Sequence, residues 1–171
     1  LTSWILNLIR MSLYDTNLDK NNANYVPLTP LTFLKRAKEI YPNYEALIYE
    51  DRKFTWDQVY KRTVKFASAL NKIGVGKGDT VSFLAFNTPE IFEGHYSVPM
   101  TGAVLNTINI RLDAKTIAYI LDHSEAKVLV VDRQLHVEVK KALTTLKKKI
   151  TIIDINDKFA DQSKCEKIGD L

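Results

Sequence analysis

Cysteine is almost missing from this chain: Cys165 is the single one in 171 residues. One thiol excludes an internal disulfide framework and cannot make a metal site by itself, so a reducing cytoplasm is the expected setting. Histidine is scarce as well, and His95, His123 and His136 have no metal-like spacing with one another or with Cys165. No metal site is expected. Long apolar runs are lacking too. Residues 1–13, LTSWILNLIRMSL, are too short a run to span a bilayer and lack the charged start and small-residue cleavage site of a signal peptide, so neither a membrane span nor secretion follows. A glycine-rich strand-to-helix turn is absent, which counts against an unrelated nucleotide enzyme.

Acidic residues run slightly short, 20 against 24 basic, for a net charge of +4. The excess concentrates in Lys140, Lys141, Lys147, Lys148 and Lys149. The plain reading is the solvated face and last turn of a helix, where cations suit the macrodipole. A nucleic-acid patch is the alternative, but no aromatic residue is interleaved there to stack on bases, and no nucleic-acid partner is expected. With 46% hydrophobic and 26% charged residues the chain can bury a core, about 70% of its unfolded surface at this length. Because the chain starts at Leu1 and Met11 precedes a polar stretch, residues 1–10 are either upstream sequence or an amphipathic first helix. The domain reading is an N-terminal extension over residues 1–23, partly non-native or flexible, and one α/β unit over residues 24–171.

From Pro27 onward the pattern predicts regular elements. Thr29-Pro30 caps a first helix with Leu31, Phe33, Leu34, Ala37 and Ile40 near helical spacing. A hairpin follows, with strands over residues 46–50 and 53–55 about the turn Asp51-Arg52-Lys53. Thr55 and Gln58 form a capping box for a helix whose face is Val59, Thr63, Phe66, Ala67 and Leu70, ended by Gly74. Residues 80–86, TVSFLAF, read as a strand covered on both faces. Asn87-Thr88-Pro89-Glu90 starts a helix to about Thr101, and Gly102 turns it into a strand over residues 103–107, a right-handed β-α-β crossover. Asp113 caps a helix with Ile117, Ile120 and Leu121; residues 127–132, 134–146 and 150–154 then predict strand, helix and strand. Residues 155–171 are polar and read as a loop cut off mid-course. The alternation argues for a doubly wound, layered α/β structure.

A series of short segments at these boundaries carries a resemblance. Phe54-Thr55-Trp56 is similar to an aromatic-Thr-aromatic entry to a long helix, and Gly74-Val75-Gly76-Lys77-Gly78-Asp79 to a G-V-x-x-G-D turn. Asn87 and Glu90 match an N-x-x-E, and Gly102-Ala103-Val104 a G-A-V. Asn109, Arg111 and Leu112 fit N-x-R-L, and Ser124-Glu125-Ala126-Lys127 fits S-E-A-K. Each alone is weak; six in order over roughly residues 24–135 are specific. The chain resembles the front part of the large N-terminal domain of the adenylate-forming acyl-CoA synthetases, the AMP-dependent synthetase and ligase family. The wording HYSVPMTGAVLNTINIRL, from His95 to Leu112, is similar to the bacterial and plant-like branch for short, medium or aromatic acids.

What that resemblance implies is an incomplete layered α/β/α subdomain of an acid-thiol ligase. The complete enzyme would activate a carboxylic acid with ATP and Mg²⁺ to an acyl-adenylate and pass it to coenzyme A. The family's phosphate loop, T-S-G-T-T-G-x-P-K-G, does not occur in these 171 residues, so the piece is expected to be inactive alone, with no catalytic or cofactor-binding residue and no cofactor bound. A homodimer stays open. A stand-alone, non-catalytic binding or scaffold domain of the same fold is the alternative function.

Within this reading one site residue is named, His95, placed near the acyl pocket; the plainer role is a structural histidine satisfied by a neighbour. Gly74-x-Gly76-x-Gly78 reads as a turn, because phosphate loops run from a strand into a helix and this one runs from a helix into a strand. Trp56 reads as a core or rim aromatic rather than a ligand-stacking one. Arg111 reads as holding its loop by charge-assisted hydrogen bonds, with a partner-subunit contact as the alternative.

Overall fold

The computed structural model describes residues 19–169. The alternatives for residues 1–10 lie outside the described residues, as does most of the extension proposed for residues 1–23.

Helix α1 (Pro30–Ile40) begins at Thr29, whose hydroxyl accepts the Thr32 amide while Thr32 reaches back, with Pro30 in the first turn. Strands β1 (Glu45–Tyr49) and β2 (Arg52–Thr55) pair antiparallel as the predicted hairpin. Helix α2 (Trp56–Lys72) opens on the Thr55 and Gln58 capping box, with bonds of 3.3 and 2.9 Å, and buries Val59, Thr63, Ala67 and Leu70. There follow β3 (Thr80–Leu84), α3 (Pro89–Met100), β4 (Val104–Thr107), α4 (Ala114–His123), β5 (Ala126–Asp132), α5 (His136–Leu143) and β6 (Thr151–Ile155).

The last four strands form one parallel sheet in the order β4-β3-β5-β6. Side chains alternate across it as strand geometry requires. Val81, Phe83, Val128, Val130 and Ile155 pack in one cluster with Leu70 of α2 and Val98 of α3. Leu84, Leu129 and Val131 pack on the other side with Ile117 and Leu121 of α4 and Val139 and Ala142 of α5. Helices therefore cover both faces, α2 and α3 on one and α4 and α5 on the other, and the doubly wound reading holds. The crossover from β3 to β4 runs one way along the sheet, and those through β5 to β6 run the other way. With a single hand of connection, that reversal obliges the helices to change faces.

Two glycines show how tightly α3 is set. Gly94 faces the Phe83 ring so closely that a β-carbon would sit 2.6 Å from it. Gly102 ends the α3 segment at φ 79°, with Lys77 Cα 3.3 Å from where its β-carbon would be. The predicted left-handed cap is present.

Some boundaries move. The helix expected over residues 134–146 is a 3₁₀ turn, Arg133–Leu135, followed by the shorter α5. Lys140 and Lys141 lie in its last turn, but Lys147, Lys148 and Lys149 are exposed in the following loop rather than on the helix. Residues 155–169 are not an unattached loop. The Asp154 carboxylate accepts the Ile168 and Gly169 amides at 3.0 and 3.1 Å and the Arg133 guanidinium at 3.1 Å. Lys140 binds Glu166, Tyr49 binds Asp157, and the Phe159 ring stands edge-on to Tyr49. Sequence polarity gave no sign of this anchoring, because its partners lie far apart along the chain and two of its donors are backbone amides.

Candidate functional site

In an open α/β sheet, ligands gather at the carboxyl ends of strands where successive crossovers depart in opposite directions. Here that point lies between β3 and β5. The chain leaving β3 goes toward β4 and that leaving β5 toward β6.

A cleft of about 450 Å³ opens beside it, lined by Ala85 to Asn87 after β3, Ile91 and His95 on α3, and residues 107–110 after β4. His95 is exposed, and its Nδ1 lies 2.8 Å from the Ile91 carbonyl. A carbonyl only accepts, so Nδ1 carries the proton in this bond. The Ile91 carbonyl is a backbone partner of the kind the structural role for His95 calls for, and the residue also lines the cleft.

The buried polar groups at this edge were not singled out from sequence. Asp132, the last residue of β5, has no exposed surface; its Oδ1 accepts the Gln134 amide at 2.9 Å, and Oδ2 has no partner. Burial pushes its carboxyl pKa up, with the charges of Asp157 and Glu90 acting in the same direction. Thr88 sits at the N-cap of α3 with its hydroxyl buried and unpaired rather than capping the helix. An aspartate closing an apolar strand was a legible signal of such a group. The failure of Thr88 to cap was not, since Asn87-Thr88-Pro89 is locally a good capping sequence.

Charges flank the same edge. Arg62 binds both oxygens of Glu93, and Arg52 binds Glu90 at 3.0 Å. The Phe54 ring meets both guanidinium groups, at 5.1 and 4.9 Å from its centre. Burial raises the Glu93 pKa against the opposing effect of Arg62. Tyr49, bonded to the Asp157 carboxylate and partly desolvated, has its phenol pKa raised to about 12.

Other predicted residues are placed apart. Trp56 is half-buried at the start of α2, its amide bonded to the Tyr44 carbonyl. Arg111 is exposed, and its side chain makes no ion pair among the described residues. The loop is held instead by the Arg111 backbone amide donating to Asn109 Oδ1 at 2.9 Å, which corrects the role assigned to its guanidinium. His123 stacks on Tyr119, and His136 lies on a different helix, its Nδ1 toward the Arg133 carbonyl. Cys165 donates to the Asp161 carbonyl.

The glycine turn is a closed device. Asp79 accepts the Gly76 amide at 2.8 Å and pairs with Lys127 at 2.9 Å, and Lys127 also binds the Gly74 carbonyl. The Lys127 contact, then the Gly76 amide, hold the Asp79 carboxyl below its usual range. An amide already bonded to a carboxylate does not receive a phosphate.

The stretch from within α1 onward matches one family model, described as AMP-binding enzyme, over residues 34–170. The chain belongs to the AMP-binding enzyme family. The peroxisomal trans-cinnamate:CoA ligase of Petunia hybrida is 49% identical over 154 residues, 90% of this chain and 27% of that protein. The peroxisomal butyrate–CoA ligase of Arabidopsis thaliana is 53% identical over 127 residues, 74% and 22%. Among solved structures, the inhibitor-bound N-terminal domain of FACL13 from Mycobacterium tuberculosis superposes with a TM-score of 0.66 at 26% identity, over 72% of this chain and 32% of that one. The chain thus spans about a quarter of these curated relatives. Both of them are named as peroxisomal, which overturns the cytoplasmic expectation. A lone cysteine rules out an internal disulfide but carries no cellular address.

The family's name implies an adenine nucleotide, and the glycine turn does not fit its phosphates. The glycine turn has its amide engaged by Asp79, and no group of three or more His, Cys, Asp or Glu side chains converges among the described residues. No chemical step is assigned to this part of the AMP-binding enzyme.

Proposed function

We propose that residues 24–171 are the front of the large domain of an ATP-dependent acid:CoA ligase acting on a short-chain or aromatic acid in the peroxisome, with residues 1–23 an extension. The complete enzyme would use ATP, Mg²⁺ and coenzyme A, forming an acyl-adenylate and then the thioester. The family match over residues 34–170 carries this reading, and the relatives' named substrates, cinnamate and butyrate, suggest the acid class. This piece supplies the scaffold. His95, on the wall of the cleft, is the residue proposed to lie near the acid.

Pyrophosphate exchange with cinnamate, benzoate, butyrate and acetate tests the assignment. A protein of the relatives' full length should exchange with at least one of these acids, and the 171-residue chain should stay at blank with all. Exchange by the short chain would overturn the scaffold role; no acid-dependent exchange by the long one would overturn the ligase reading.

A further inference from the structure

The sheet is covered unevenly. On the α4–α5 face the helices reach β6, whereas on the other face α2 and α3 stop short of it and leave a groove of about 500 Å³. Its floor includes Phe66, Ile153 and Ile155, and its rim Arg62, Lys65 and Glu90. Phe66 and Ile153 are only partly buried, although they pack against the core.

We infer that this groove is the seat of a later stretch of the same polypeptide: an amphipathic segment with apolar side chains on Phe66 and Ile153. Two findings favour this occupant over a second copy. The chain matches only 32% of the solved N-terminal domain that it resembles, so most of the related domain lies outside these residues. The groove also adjoins β6, an edge strand whose outer side has no partner strand among the described residues. The segment does not come directly from β6. A strand added next to β6 through a right-handed crossover carries its helix to the α5 face, so the groove is filled by chain that returns from farther along. The inference rests on the family membership and is independent of which acid is used.

Lysine acylation read by mass spectrometry tests it in an enzyme of the relatives' full length, with each site compared with the same enzyme unfolded in urea. Lys65, on the rim, should react at least about tenfold more slowly when folded, because access then requires local opening. Lys65 reacting within about threefold of its unfolded rate would overturn the inference. So would protection that disappears on dilution to the monomer, the signature of a second copy in the groove.

Discussion

Gly102 shows what one residue can carry in this fold. It sits at φ 79° between α3 and β4, with Lys77 Cα 3.3 Å from the position of a β-carbon. Gly102→Val should therefore cost on the order of 1–3 kcal/mol, while Lys148→Ala in the exposed loop should stay within about 0.5 kcal/mol. Urea unfolding of both variants checks the pair, and equal shifts would contradict the placement of the turn. Asp132 offers a pH-resolved case. Its pKa is raised in the folded protein, mainly by burial, so the folded state holds this proton more tightly than the unfolded one. The associated stability is present below the ordinary aspartate pKa of about 3.9 and is lost as pH rises through the folded value. Asp132→Asn keeps the acceptor for the Gln134 amide and removes the ionisation. Relative to the unmodified protein, the variant should gain stability as pH rises from acid toward neutral, measured by urea unfolding across pH; a difference independent of pH would refute it.

Among the elements, one carboxylate ties β6 to the returning residues 168–169. The Asp154 side chain is 1% exposed and accepts from Arg133, Ile168 and Gly169. Asp154→Ala leaves these donors without their acceptor in a partly buried setting, a loss of about 1–3 kcal/mol. Faster hydrogen exchange at the Ile168 and Gly169 amides should accompany it, and unchanged exchange there would show the anchor to be unimportant. Elements with local signals were legible beforehand. Thr55 with Gln58, Asp113 before α4 and Thr29 before Pro30 all cap as their spacing indicates, because a cap is decided within four residues. The Asp154 anchor was not legible, since its backbone donors lie 14 and 15 residues along the chain and nothing in residues 155–169 marks them. At the candidate site, His95 could be named as a polar residue on an apolar helix and Asp132 was legible as an aspartate closing an apolar strand, whereas the unpaired Thr88 hydroxyl emerged only from the folded structure.

For the whole molecule, the apolar groove and the exposed side chains Val26, Leu28, Phe33 and Ile48 leave hydrophobic surface open to solvent. Contiguous exposed apolar patches of several hundred Å² mark interaction sites, so the 171-residue chain should bind a hydrophobic dye or self-associate. A dye-silent, monodisperse monomer with a cooperative melt would count against this. The order of strands and helices, the faces they bury and the family resemblance were determined by sequence alone, because periodicity, caps and turn residues act over a few positions. The tertiary structure decided what joins distant positions. Asp79 closes the glycine turn with Lys127, the Tyr49 phenol meets Asp157, and Asp132 is left with an unpaired oxygen at the edge of the sheet. Hydrogen bonds and burial depend on distances in space, and residues 48 or 108 positions apart acquire those distances only when the sheet is assembled.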